Sequence, residues 1–431
     1  MEREWKTFSL AELFDFSSGL SKSRTEFGFG HGFLSFKDVF YNYFCPPKLE
    51  QLVNSNEKEQ QSCSIKRGDV FLTRTSETMD ELGMSCVALQ DYDSATFNGF
   101  TKRLRPKAPA QIIPEYAGYY FRSPSFRREV TAMSSLSTRA SLNNEMLARL
   151  KMVLPPPTIQ ENIGSILKAL DDKIELNRRM NTTLEAMARA LFQSWFVDFD
   201  PVRAKLDGRQ PAGMDEATAA LFPKYFEHGD KGLLPVGWRH VAINEVCVIN
   251  AWTLSKRDDL KELEYVEISE VSRGNIANIV VYPRGNEPSR ARRRLRHGDT
   301  VLSTVRPDRG SYFLALNPPE NRVASTGFAV LTPTKVTWAF LHAALTQPEV
   351  SDHLGQMADG GAYPAVRPEI IGSIQVPLPY EPKILEAFHR VCAPLYEQAN
   401  ANRVQSRTLA ILRDTLLPKL LSGELLISGV E

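Results

Sequence analysis

Thr158-IQENIGSILKALDDKIELNRRMNTTLEAMARALFQS-Trp195 carries two columns of mostly apolar residues that recur every seven positions. One column is Ile163, Leu170, Asn177, Leu184 and Leu191, and the other is Leu167, Ile174, Asn181, Ala188 and Trp195. Helical geometry sets the columns side by side, so the segment reads as one long helix with a single seam to be kept from water. Pro382-KILEAFHRVCAPLYEQANANRVQSRTLAILRDTLLPKL-Leu421 repeats the frame, with Phe388, Leu395, Asn402, Leu409 and Leu416 beside Cys392, Ala399, Ser406, Arg413 and Leu420. Packing one seam against the other is the simplest burial, which predicts an antiparallel intramolecular coiled coil. Asn177, Asn181, Asn402 and Ser406 put polar groups mid-seam, where they cost stability but penalise wrong registers. Arg413 fits the frame worst, and Pro394 is expected to kink the second helix.

Outward from these helices, the chain is two copies of one larger unit. Trp5 answers Trp238, FLSFKDV from Phe33 answers YVEISEV from Tyr265, and IKRGDVFLT answers LRHGDTVLS, pairing Gly68-Asp69 with Gly298-Asp299. Gly99-Phe100 answers Gly327-Phe328, KMVLPPP from Lys151 answers IQVPLPY from Ile374, and NRRMNTTL from Asn177 answers NRVQSRTL from Asn402. The order never breaks and the period far exceeds that of solenoids, so each copy is a domain plus a helical appendage. Strand-like runs such as Ser85 to Leu89 and Val301 to Val305 alternate with helical stretches at Pro114 to Phe121 and Thr337 to Leu345. That mixture is α+β. The predicted organisation is a first globular head over 1–155, a central helical spacer over 156–203, a Pro- and Gly-rich linker over 204–236, a second head over 237–379 and a C-terminal helical spacer over 380–431.

Composition excludes more than it identifies. Hydrophobic residues are 42% and charged residues 24% of the 431, the balance of a folded soluble chain. Lys+Arg 52 against Asp+Glu 51 leaves +1, so affinity for nucleic acid must come from where charges sit. No run of 18 apolar residues occurs and MEREWKTFSLAELFDF lacks a signal-peptide core, which points to the cytoplasm and away from membranes. Cys45, Cys63, Cys86, Cys247 and Cys392 are scattered and unpaired in spacing, as buried reduced thiols would be. His389 and Cys392, one helical turn apart, read as surface plus core, not as metal ligands. Asn317-Pro318-Pro319 opens like an amino-methyltransferase motif, but Glu320 stands where an aromatic must stack the flipped base. Gly28, Gly30 and Gly32 lack the strand and helix of a cofactor loop and read as a turn; no P-loop or nucleophile elbow occurs. The expectation is a protein without cofactor or catalytic centre.

Binding chemistry is better represented. Arg292, Arg293, Arg294, Arg306 and Arg309 fall in one arginine-rich window of the second copy, and Lys102, Arg103 and Arg105 cluster in the first. Such charges attract phosphates, and a forked guanidinium can also read guanine in the major groove. Both copies place basic or hydroxyl residues after the Gly-Asp strand: Arg74, Thr75 and Ser76 in one, Arg306 and Arg309 in the other. A second shared loop precedes each Pro-rich exit, around Arg139 in one copy and around Tyr363 and Arg367 in the other. Solvated charged faces and plain turns are the competing accounts. Ile166, Met180, Met187, Phe192 and Phe196 are apolar positions left over outside the first seam, fit either for docking a partner or for thickening a core.

The heptad helices, FQSWFVDFDPVRAK after the first, GRQPAGMDEATAALFP in the linker and LLPKLLSGEL closing the second make the chain resemble the specificity subunit of Type I restriction-modification systems. The resemblance spans nearly the whole chain and is weakest inside the heads. It implies two target recognition domains reading an asymmetric, split site in double-stranded DNA. It also implies docking of two methyltransferase subunits and, through them, of restriction (helicase-nuclease) subunits. Adenine methylation and cleavage would then belong to partner chains. A free-standing two-headed DNA-binding regulator is the alternative, and the leftover apolar positions on the first helix favour docking over it.

Overall fold

The computed structural model describes residues 5–75, 81–134, 141–229, 232–255, 257–361 and 363–425. They form an α+β protein with two sheet-rich regions and two long helices, Pro157–Phe192 and Pro382–Ser422. Each helix opens on a proline, where a missing N–H costs nothing and the fixed φ suits the first turn. The chain divides into two compact units at 175/176 and 405/406: one runs to Glu175 and resumes at Ser406, and the other is Leu176–Gln405. Each long helix is thus shared between units.

One plan recurs inside each unit. Lys6–Ser9 pairs antiparallel with Lys151–Leu154 in the first, and Trp238–Ala242 with Gln375–Pro379 in the second. A four-stranded sheet follows, in spatial order Phe14–Ser18, Thr101–Pro106, Val70–Thr73 and Ser85–Val87 in the first unit. Its counterpart is Cys247–Ile249, Phe328–Pro333, Asp299–Ser303 and Tyr312–Ala315. Strands Phe27–Leu34 and Glu262–Val266 each run parallel to the strand before the Gly-Phe turn, with Phe33 opposite Thr96 and Tyr265 opposite Val323. The glycines at 28, 30 and 32 lie in the first of these strands and not in the expected turn. Gly28 and Gly30, at φ of 98° and 94°, interrupt its register between Phe27 and His31. The Gly-Asp motif is turn chemistry: Gly68 and Gly298 take φ of 90° and 86°, a region open to glycine without a Cβ clash. Behind each, the buried carboxylate of Asp69 or Asp299 accepts from the N–H of Lys66 or Arg296, both at 2.7 Å.

The first unit buries Leu10, Phe14, Val70, Leu104 and Tyr116 together with Ile163 and Leu167 of the first long helix and Leu417 and Leu420 of the second. In the second unit Phe192, Trp195 and Phe196 enter a core with Trp238, Phe340 and Phe388. The Phe196 ring lies 4.9 Å from Phe340 and 5.1 Å from Phe388. After Phe192 the chain makes a π-helical turn over Gln193–Val197, passes through Phe199 at φ 56° and enters helix Asp200–Leu206. The linker is therefore ordered here: helix Glu216–Leu221 and a hairpin of Phe226–Gly229 and Gly232–Pro235 follow, with Val202 and Phe222 in the same core.

Along the helices, Ile163, Leu167, Ile174, Asn177, Phe388 and Asn402 are buried, and Leu170, Leu184, Leu191, Leu395, Ser406, Leu409 and Leu416 are half-buried. Within the second unit, the Asn177 amide donates to the Asn402 carbonyl (3.3 Å) and to Gln405 Oε1 (2.9 Å). Asn181 Nδ2 donates to the Ala399 carbonyl (3.0 Å), Asn402 Nδ2 donates to Asn181 Oδ1 (2.9 Å), and Arg403 pairs with Glu185. Within the first unit, Arg413 pairs with Asp171 at 2.5 Å, whose other oxygen accepts from the Tyr119 hydroxyl at 2.7 Å. The residue that fits the heptad frame worst is thus a polar anchor. The second helix is continuous through Pro394, which is exposed. Among the described residues, no helix is long and apolar enough to cross a membrane and no cluster of metal-ligating side chains is present. All five cysteines are buried thiols.

Candidate nucleic-acid interface

Three segments far apart in sequence meet at one hub in each unit. In the first, Arg74 N–H donates to the Phe100 carbonyl (2.9 Å), Leu142 N–H donates to the Arg74 carbonyl (2.8 Å), and Thr75 bridges to Ser141. In the second, Thr304 N–H donates to the Gly327 carbonyl (2.9 Å), Val366 N–H donates to the Thr304 carbonyl (2.8 Å), and Val305 bridges to Ala365. The segment after the Gly-Asp strand, the Gly-Phe turn and the loop before the Pro-rich exit are thereby tied together twice, by the same backbone bonds.

The second hub gathers four of the expected binding residues. Arg306 holds φ 46° and ψ 58° directly before Pro307, a conformation costly for a residue with a Cβ and disfavoured ahead of proline. Its N–H donates to the Pro364 carbonyl (2.8 Å), and its guanidinium lies 4.8 Å from the centre of the Tyr363 ring. Tyr363 is 73% exposed, and Arg309 and Arg367 are exposed as well. A stacked arginine and tyrosine beside two further cations offer forked donors, a hydroxyl and an aromatic face. At the first hub Arg74 and Thr75 are half-buried, and Arg74 Nε is buried without a hydrogen-bond partner among the described residues. Ser76 and Arg139 lie outside the described residues.

The basic runs themselves are not the solvated faces that their spelling suggests. Thr101–Pro106 is an inner strand covered on both sides, and Lys102 Nζ donates to Ser18 Oγ and Asn144 Oδ1, each at 2.9 Å. Burial, with the charge of Arg74 adding to it, holds the Lys102 pKa below the ordinary lysine value. Arg103 donates to the Ser64 carbonyl (2.6 Å) and lies over the Phe97 ring, and Arg105 grips Asp69 through both oxygens at 2.7 and 2.6 Å. In the second unit Arg294 pairs with Asp258 and Glu320, Arg292 donates to the Ser289 carbonyl, and burial lowers the pKa of Arg293. These cations are spent largely on the sheets.

The leftover apolar positions divide. Ile166, Met180 and Met187 are exposed, whereas Phe192 and Phe196 are buried in the second core, which corrects the expectation that they remain available for docking. Exposed Leu176, Val404, Ile411 and Leu412 on the two long helices escaped the sequence reading, which followed the seam and one flank only. Phe100, read only as a repeat match, is 58% exposed beside the first hub.

Residues 2–186 match the family model described as the Type I restriction modification DNA specificity domain. The chain is 25% identical to the Type I restriction enzyme HindI specificity subunit of Haemophilus influenzae, over 98% of this chain and 100% of that protein. It is 22% identical to the Type I restriction enzyme MjaIX specificity subunit of Methanocaldococcus jannaschii, over 86% of this chain and 82% of that one. In fold it is similar to the crystal structure of a Type I restriction-modification S subunit from M. genitalium, with a TM-score of 0.59 at 14% identity over 97% and 96% of the two chains. With the duplicated heads, these likenesses converge: residues 2–186 match a Type I restriction modification DNA specificity domain, and the chain over nearly its whole length is similar to specificity subunits of Type I restriction-modification systems.

Proposed function

We propose that the two hubs are the reading heads for an asymmetric, bipartite site in double-stranded DNA, one half-site to each head. The observation that carries this reading is the hub repeated by identical backbone bonds but furnished with different side chains: Arg306 stacked on Tyr363 in one, Arg74 beside Phe100 in the other. A common frame with diverged tips suits two readers of unlike sequences. Arg306, Arg309, Tyr363 and Arg367 are the contacts in the second head, and Arg74, Thr75, Ser76 and Arg139 in the first. The long helices form an antiparallel coiled coil in this reading, a pairing supported by the hydrogen bonds of Asn177, Asn181 and Asn402 and by the Glu185–Arg403 and Asp171–Arg413 ion pairs. Exposed Ile166, Met180 and Met187 then serve to dock two methyltransferase subunits, which carry the adenine methylation and through which restriction subunits join. The exposed apolar helix positions favour this over a free-standing regulator.

Selection of duplexes from a randomised library by the full chain, wild type against Arg309→Ala, tests the division of labour. One half of the selected site should relax, by about 1–3 kcal/mol at the base concerned, while the other half is unchanged. Equal loss in both halves would refute the split assignment.

A further inference from the structure

We infer that Phe100 reads a base: its ring makes an apolar contact with the C5-methyl group of a thymine in the half-site of the first head. This rests on the DNA-reading assignment above and names a residue and a base for it.

Each head holds a pair of phenylalanine rings in its core. Cross-strand pairs set Phe71 opposite Cys86 in the first head and Val301 opposite Phe313 in the second. Parallel pairing sets Leu34 opposite Phe97 in the first and Val266 opposite Ala324 in the second. Large and small residues have traded places, so each core holds two rings: Phe71 with Phe97 at 5.0 Å, and Phe313 with Phe328 at 5.9 Å. The ladders set the two phenylalanines one residue apart: Phe328 stands opposite Ser303 as Thr101 stands opposite Thr73, so strand alternation turns Phe328 into its core and leaves Phe100, at the place of Gly327, 58% exposed.

An aromatic surplus to the core is nonetheless held in place. Phe100 N–H donates to Asn98 Oδ1 (2.7 Å), its carbonyl accepts from Arg74 N–H (2.9 Å), and Gly99 N–H donates to the Leu20 carbonyl (2.9 Å). A Cβ on Gly19 would meet the Asn98 and Phe97 carbonyl oxygens at 2.3 and 2.4 Å, so glycine is required there for this close approach of backbone to backbone. A tip fixed in this way loses little conformational freedom when it binds. Phenylalanine has neither donor nor acceptor, and the apolar group displayed by bases in the major groove is the thymine methyl. At the second hub the aromatic Tyr363 is exposed; it comes from a different arm of the hub and carries a hydroxyl and a stacked arginine, so the two hubs differ in kind.

The test uses the full chain and duplexes selected from a randomised library. In the half-site that Arg309→Ala leaves unchanged, each thymine is replaced in turn by deoxyuridine, which removes only the methyl group. One replacement should weaken wild-type binding about fivefold. At that position Phe100→Ala should be insensitive, and Phe100→Leu, which keeps an apolar side chain, should retain part of the sensitivity. Identical deoxyuridine profiles for wild type and Phe100→Ala would overturn the inference, as would a loss in Phe100→Ala that is uniform across sequences. Selection of no consensus by the wild type would instead overturn the DNA-reading assignment itself, a separate result. An unchanged melting temperature is expected for both variants because the side chain is outside the core.

Discussion

Asp69 and Asp299 occupy the same turn in the two heads yet are held in different ways. Asp69 is gripped by both arms of Arg105, whereas Asp299 accepts from the Thr332 hydroxyl and the Arg296 N–H, each at 2.7 Å, and among the described residues no guanidinium hydrogen-bonds its side chain. Burial accordingly pushes the Asp299 pKa above the usual carboxylate value. Removing Arg105 leaves a buried carboxylate without its cation, so Arg105→Ala should cost about 3–5 kcal/mol, read as a lower midpoint in denaturant unfolding. A cost below about 1 kcal/mol, the range of exposed pairs, would show that this pair behaves as a surface ion pair. His342 gives a second test at this scale. It is fully buried against the rings of Tyr312 and Tyr396, and burial pushes its pKa down to about 3. The unfolded chain binds this proton at about pH 6.5 and the folded chain does not, so stability is intact above that pH and falls as the pH drops towards 3. The slope approaches about 1.4 kcal/mol per pH unit, and melting of His342→Gln between pH 7 and pH 4.5 should lack that share of it.

At the scale of elements, the seam is polar where Asn177, Asn181 and Asn402 bond one long helix to the other. Asn402→Leu alone removes the donor to Asn181 Oδ1 and should cost about 1–3 kcal/mol by leaving a partly buried amide short of a partner. Leucine at 177, 181 and 402 together should recover most of that loss while relaxing register, because buried polar groups tend to specify more than they stabilise. Thermal melting reads the first effect and the spread of gap lengths tolerated in methylated sites reads the second. A triple variant less stable than the single one would show that these amides carry net stability. This seam was legible in the sequence because a seven-residue repeat needs only local spacing. The reading surface was not. Lys102 and Arg105 look like a basic patch until Asn144 and Asp69, distant in sequence, are folded onto them. Conversely, nothing local distinguishes Phe100 from Phe328, since exposure is decided by ladder register: Phe328 stands opposite Ser303, the place that Thr101 holds opposite Thr73, and Phe100 falls one residue earlier. Phe192 and Phe196 differ from the expectation for a related reason: they lie outside the heptad columns, and Phe340 and Phe388, distant in sequence, are what cover them in the second core.

For the whole molecule, the decisive question is whether the helices only carry the heads or also set the gap between half-sites. A seven-residue insertion lengthens a helix by about 10 Å while preserving its seam. On DNA that corresponds to about three base-pair steps, given a helical repeat of about 34 Å per ten pairs. Because Asn181 bonds to Ala399 and Asn402 and Glu185 pairs with Arg403, a heptad added after Glu185 must be matched by one added before Ala399 so that neither helix loses its partner. Such a double insertion should shift the preferred gap by two to four base pairs and leave both half-site sequences as they were. Mapping of methylated sites in the presence of a methyltransferase partner, on a library that varies only the gap, measures the shift. An insertion in one helix alone breaks register and should abolish activity without changing preference. If the double insertion keeps full activity at the original gap, the heads are positioned by DNA and partner contacts and not by the helices. If it changes a half-site sequence, the helices take part in reading.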